Sequence, residues 1–165
     1  MNKLNLGCGA NHLPGYINID ARIPKMKEPD YVCDIVHLPY KANTIDEIVC
    51  YHAFEHLSKN DAIKAATSWL KMLKPQCKLV IECPDIIELC KKVANGEVDN
   101  VDHIYGLGRN PYDFHKYGWS GRTLASLLLE LGYINVTLEL PTDYHSQSEP
   151  CFRVVAFKPV LQNLS

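Results

Sequence analysis

Five short strand-like segments occupy the first half of this 165-residue chain: Lys3–Cys8, Tyr16–Asp20, Tyr31–Ile35, Glu47–His52 and Lys78–Cys83. The fourth is nearly all apolar, as a strand buried on two faces requires. Between the fourth and fifth, Ala62, Ala65, Ala66, Trp69, Leu70 and Leu73 recur at helical spacing over Lys59–Leu73, and Lys74-Pro75 ends the pattern. A second helix is predicted from Pro84 to Val93, with Asp85 near its cap. A third spans Ser120–Gly132, with Leu124, Leu127, Leu128 and Leu131 on one stripe and Gly132 as its stop. Strands that alternate with helices imply a parallel sheet with helices on both faces. The last two strand-like segments, Ile134–Leu140 and Cys151–Lys158, have only a polar loop between them and are predicted to be antiparallel neighbours. The expected fold is therefore α/β. It is a single domain over residues 1–165, a doubly wound seven-stranded sheet, mostly parallel with one antiparallel strand.

Two connections do not suit that plan. Gly9–Gly15 and Ala21–Asp30 are too short for crossover helices, which take roughly 10–12 residues or more. Part of one sheet face should be thinly covered as a result. An apolar patch there would favour self-association, so a homodimer is expected.

Composition narrows the function classes. A net charge of −2 gives no global attraction to nucleic acid or anionic membrane. Seven cysteines, an odd number with no CxxC pair, argue against a disulfide framework and a zinc ribbon. Most lie in apolar runs, where a reduced Cys acts as a small hydrophobe. No secretory h-region and no membrane-length apolar run occurs, and a soluble, cytoplasmic protein is expected.

The first strand runs straight into Gly7-Cys8-Gly9, where glycine lets the backbone turn sharply and approach a ligand closely. Asp20 ends the second strand and Asp34 follows the third, before Ile35-Val36-His37-Leu38-Pro39. Ile45-Asp46-Glu47-Ile48-Val49 and Leu73-Lys74-Pro75 complete an ordered set. This series resembles the class I S-adenosylmethionine-dependent methyltransferases, in a small, trimmed form. The resemblance implies a Rossmann-like sheet and S-adenosylmethionine as cofactor. It places the cofactor against Leu6, Gly7, Cys8, Gly9, Asp20, Ala21, Asp34, Ile35 and Tyr51, with the ribose on Asp20 and the adenine near Asp34. Asn5 departs from the acid usual in the family two residues before the first glycine. A nicotinamide enzyme would instead show GxGxxG, which Ala10-Asn11-His12 does not supply.

Beyond the fourth strand lies Tyr51-His52-Ala53-Phe54-Glu55-His56-Leu57. On one helical turn His52, Glu55 and His56 would share a face. The HxxEH pattern resembles the ExxEH of metal-dependent O-methyltransferases, in which a distant His joins the set; His115 is the candidate here. Three readings stand side by side. Glu55 and His56 brace the cofactor loop; or His52, Glu55, His56 and His115 hold a divalent metal, with histidines favouring zinc, manganese or iron over magnesium; or His115, with His52 next, is a metal-free catalytic base. His12, His37 and His145 read as surface or loop residues, His12 lying near the cofactor's carboxylate end.

Residues 96–120 are glycine- and aromatic-rich and read as a substrate cap, with Tyr105, Tyr112, Phe114, Tyr117 and Trp119 as flat faces for a sugar or base, and Arg109 and Lys116 for a phosphate. The reading that results is methyl transfer to an oxygen of a small hydroxylated acceptor, such as a sugar or nucleotide-sugar. RNA 2′-O-methylation is the alternative, opposed by the charge. A non-catalytic cofactor-binding partner subunit is a second alternative.

Overall fold

The computed structural model describes residues 1–97 and 100–160. Residues 98 and 99 of the expected cap, and 161–165 of the expected domain, lie outside the described residues. The strands are β1 (Lys3–Leu6), β2 (Ile17–Asp20), β3 (Tyr31–Val32), β4 (Ile45–Tyr51), β5 (Leu73–Pro84), β6 (Ile134–Glu139) and β7 (Cys151–Phe157). The helices are α1 (Lys59–Met72), α2 (Ile86–Ala94), α3 (Asn100–Tyr105) and α4 (Gly121–Glu130). One sheet of seven strands runs in the order β3-β2-β1-β4-β5-β7-β6. β7 pairs antiparallel with both β5 and β6, and the other pairings are parallel. The mostly parallel sheet with one antiparallel strand is as the sequence implies.

Local chemistry explains the helix ends. Ser58 caps α1 by accepting the Asp61 N–H, and Asp85 caps α2 by accepting from Ile87 and Glu88. Ser120 and Thr123 bond reciprocally to each other's backbone at the start of α4. Gly132 follows at φ 97°, a left-handed conformation that glycine adopts freely. The short helix α3 has only six residues, too few for a periodic stripe to stand out, and the sequence did not reveal it.

The helix layer is one-sided, which corrects the expectation of helices on both faces. Leu4, Leu6, Ile48, Cys50, Leu79, Ile81, Val154 and Ala156 point to the face on which α1 and α4 lay Ala62, Ala66, Trp69, Leu124 and Leu128. Helices α2 and α3 pack on each other instead. The connections after β1 and β2 hold no helix, as their length dictates. On the opposite face the buried hydrophobic cluster among the described residues is Val49, Val80 and Val155, under Leu13, Tyr16, Tyr51 and Phe157. Ion pairs flank this small patch: Glu47 lies 2.9 Å from Lys3 and 3.1 Å from Lys78. The apolar area expected there is thus largely closed by the sheet's own side chains.

Trp69 joins the layers. It is fully buried, and its indole donates to the Ile35 carbonyl at 2.9 Å, fastening α1 to the loop after β3. No helix among the described residues is long and apolar enough to cross a membrane. Replacing Trp69 with Ala removes a large core side chain and orphans that carbonyl. The expected cost is about 3–5 kcal/mol in denaturant unfolding; a loss below about 1 kcal/mol would contradict this packing.

Candidate active site

The parallel strands end together at one edge, and the expected cofactor residues lie along it. Gly7 and Gly9 have φ of 66° and 50°. A methyl on Gly7 would sit 2.2 Å from the Ala53 Cβ, so the first glycine is required by the close approach of the turn after β4. The same methyl on Gly9 would meet nothing, leaving open space above the loop. The Cys8 N–H donates to the Ile19 carbonyl at 3.0 Å, and the Gly9 N–H to Asp20 Oδ2 at 2.8 Å. Asp20 Oδ1 accepts the Arg22 N–H at 3.1 Å. Asn5, the departure from the family pattern, has a clear role. Its buried amide donates to the Asn11 carbonyl at 2.8 Å and to Asn18 Oδ1 at 2.9 Å, pinning a loop that has no helix to hold it. An acid could not donate these bonds.

Asp34 accepts the Val36 N–H at 2.9 Å and pairs with His37 at 3.1 Å, keeping an exposed carboxylate. Leu6 and Ile35 bury their side chains in the core, so only their backbones reach this edge, while Ala21 is exposed. Tyr51 turns toward the helix-free face, where Arg153 donates to its hydroxyl at 3.3 Å.

The HxxEH segment is not one helical turn. Only Phe54–His56 form a single 3-10 turn, and His52 sits before it at φ 49°. Glu55, His56 and His115 converge, with one ligand atom from each within 4.8 Å of the others, whereas His52 falls outside that set. The expected four-residue cluster is therefore corrected to three plus a neighbour: His52 Nδ1 lies 3.6 Å from Glu55 Oε1. Both Glu55 carboxylate oxygens are buried without a hydrogen-bond partner. Burial pushes its pKa up, against a smaller downward pull from His56. His56 Nδ1 lies 3.1 Å from the Phe114 carbonyl, and the His56 and His115 rings meet edge to face at 5.0 Å. Burial, then the neighbouring His56, lowers His115 to about 4; burial, then His145, lowers His52 to about 3.

The cap is tied to this turn. The Lys116 and Tyr117 N–H groups donate to the Glu55 carbonyl at 2.8 and 3.3 Å. Trp119 is core, packed on Phe54 at 5.6 Å, and Tyr117 meets Trp119 tilted at 4.6 Å. Tyr105, Tyr112 and Phe114 remain exposed. Arg109 is bound twice by Asp113, at 2.9 and 3.0 Å, and so is engaged within its own loop.

A second cluster was not foreseen. The loop between β6 and β7 brings Asp143, His145 and Glu149 against His52. The His145 ring stacks on His52 at 4.1 Å, so it is no mere loop residue. Glu149 Oε1 lies 3.6 Å from His52 Nδ1, and its Oε2 lies 2.6 Å from His103 Nδ1. Cys151 Sγ lies 3.6 Å from His52 Nε2. Burial lifts the Cys151 thiol and pushes Cys8 up to about 12, so neither is a thiolate at neutral pH. The signal for this cluster lay in topology. A loop leaving a strand parallel to β1 must emerge at the same edge, and 140–150 is such a loop.

Comparisons with known proteins agree with this architecture. Residues 14–81 match the family described as Methyltransferase domain. A SAM-dependent methyltransferase from Archaeoglobus fulgidus superposes with a TM-score of 0.69 at 17% identity, covering 95% of this chain and 86% of that one. One from Methanosarcina mazei gives 0.69 at 14%, covering 96% and 92%. A putative methyltransferase in complex with the Trm112 activator from Haloferax volcanii gives 0.65 at 10%, covering 98% and 83%. An uncharacterised protein of Methanocaldococcus jannaschii is 35% identical over 57 residues, which are 34% of this chain and 24% of that protein's length. The chain has the class I S-adenosylmethionine-dependent methyltransferase fold, and its residues 14–81 match the methyltransferase domain family.

Proposed function

We propose that this chain binds S-adenosylmethionine along the ends of β1, β2 and β4 and transfers its methyl group to an oxygen of a small hydroxylated acceptor, such as a sugar. The observation that carries the reading is the open cradle at Gly7 and Gly9, joined to Asp20 by the Gly9 N–H. The residues fit the cofactor. Each Asp20 oxygen accepts one backbone N–H and keeps a lone pair for a ribose hydroxyl. The bound cofactor supplies a sulfonium methyl as electrophile. The chain must then position an acceptor oxygen, keep water out and take a proton.

Exposed Tyr105, Tyr112 and Phe114 offer faces for an apolar sugar surface. The acidic net charge and the engaged Arg109 weigh against an RNA backbone. Glu55, His56 and His115 suit a divalent ion such as zinc. Two imidazoles and a carboxylate are a familiar donor set, and the unpartnered Glu55 oxygens need a partner. A His56 Nδ1–H donated to the Phe114 carbonyl would leave Nε2 as the ligand atom. Such an ion would act as a Lewis acid that holds the acceptor oxygen.

Three outcomes test these assignments. By calorimetry, Asp20→Ala should weaken S-adenosylmethionine binding by ~2–3 kcal/mol, as loss of charged hydrogen bonds predicts; unchanged affinity would refute the ribose site. Zinc titrated alone should bind the wild type with unit stoichiometry and fail to bind His56→Ala, because each ligand serves one site. Equal zinc binding by both proteins would remove the metal.

The third outcome concerns pH in chelator-treated protein. His52 and His115 have folded pKa values of about 3 and about 4 against 6.5 unfolded, so protons favour the unfolded chain. Their contribution is complete above pH 6.5 and is lost as pH falls toward about 4. Burial-raised Glu55 and Glu149 have the opposite sign, losing stability as pH rises through their folded values. His115→Gln should therefore flatten the acid-side decline in denaturant stability, and an unchanged slope would contradict burial of this imidazole.

A further inference from the structure

We propose that His145, held by Asp143, is the base that removes the acceptor hydroxyl proton during methyl transfer. The inference rests on the proposed transfer to oxygen and assigns a residue to it.

The geometry is that of an oriented imidazole. His145 Nδ1 lies 2.5 Å from Asp143 Oδ1, and the Asp143 side chain is only 2% exposed. Burial alone would raise the Asp143 carboxyl, but hydrogen bonds from the His145 ring and backbone N–H outweigh it and hold the pKa low. An ionised Asp143 fixes the proton on Nδ1 and leaves Nε2 as the acceptor. No hydrogen bond among the described residues engages Nε2, and the side chain is 34% exposed.

Asp143 is itself fixed on three sides. Its N–H donates to Glu82 Oε2 at 3.0 Å, its Oδ1 accepts the His145 N–H at 3.2 Å, and its Oδ2 accepts from Asn11 Nδ2 at 2.9 Å. The Asn11 bond matters for function, because Asn11 belongs to the loop that begins with Gly7 and Gly9. The dyad is thereby attached to the cofactor cradle. The ring also stacks on His52, directly after β4, so His145 lies beside the end of β4 while Asp143 reaches the loop after β1. In open parallel sheets this edge is where ligands meet.

His52 and His115 serve this step less well. The His52 side chain is 7% exposed against 34% for His145, and His115 is committed to the cluster with Glu55 and His56. His52 is the platform under His145, and Asp143 is a positioning residue.

The step balances. The acceptor O–H proton passes to His145 Nε2 as the oxygen lone pair forms the new bond to the methyl carbon. The C–S bond breaks, its electron pair stays on sulfur, and the sulfonium becomes a neutral thioether. The imidazolium then returns its proton to solvent.

Two measurements decide the matter. The first needs no acceptor. In ¹⁵N-histidine-labelled protein near neutral pH, His145 should be the Nδ1–H tautomer with Nε2 unprotonated, and Asp143→Asn should shift that tautomer. A wild-type ring protonated on Nε2 alone overturns the proposal. The second measures transfer of labelled methyl from S-adenosylmethionine to a panel of methyl hexosides and uridine diphosphate glucose. His145→Ala should lower kcat by about 10²–10⁴-fold with calorimetric S-adenosylmethionine affinity unchanged, and added imidazole should restore part of the rate. Turnover within threefold of wild type overturns the assignment while leaving O-methylation intact. A wild type that binds S-adenosylmethionine yet methylates no hydroxyl in the panel overturns the oxygen reading, and the role of His145 with it.

Discussion

A carboxylate with no exposure at all, Glu82 near the end of β5, organises the working edge of this molecule. A buried charge must be paired and hydrogen-bonded or it is not tolerated. Glu82 meets that demand with the Arg153 guanidinium at 2.6 Å and the Thr142 and Asp143 N–H groups, both at 3.0 Å. Arg153 also donates to the Thr142 hydroxyl and to Tyr51. One carboxylate thus decides where the β6–β7 loop lies. Removing it would strand Arg153 and free that loop, because breaking one partner of a buried pair leaves an uncompensated charge.

The shape of the sheet follows from a different constraint. Helices need length, and the first two connections lack it. The consequence is a layer of helix on one face and a self-covered strip of three valines with flanking ion pairs on the other. With no first crossover helix, the glycine loop needs other anchors. The Asn5 and Asn18 amides, Asp20 and Asp143 supply them, each through a bond to the loop. Asn11 therefore ties a loop near residue 10 to a loop near residue 143.

Much of the fold was legible in the amino-acid order. Apolar runs gave the strands, Asp85 and Ser120 gave helix starts, and the absence of a helix between the last two strands gave their antiparallel pairing. Gly7, Gly9 and Asp20 were legible too, because a strand, a turn that only glycine suits and an acid closing the next strand are local features. The HxxEH segment was half legible. Glu55 and His56 meet His115 as the pattern implies, but His52 does not share their turn. Its positive φ, set where the chain leaves β4 and its N–H reaches back to the Glu82 carbonyl, was invisible to spacing rules.

The sequence by itself determined the class of sheet, the run of elements and the glycine turn, since each depends on residues within a few positions of one another. Only the tertiary structure decided which histidines share a neighbourhood. His52, His103 and the His145–Glu149 pair come from three separate segments, and no local pattern links them. Their meeting depends on strand order, on a buried Glu82 that captures a distant loop and on burial that strips charge from His52 and His115. Those are properties of packed space, where desolvation and long-range pairing act, rather than of periodicity along a chain.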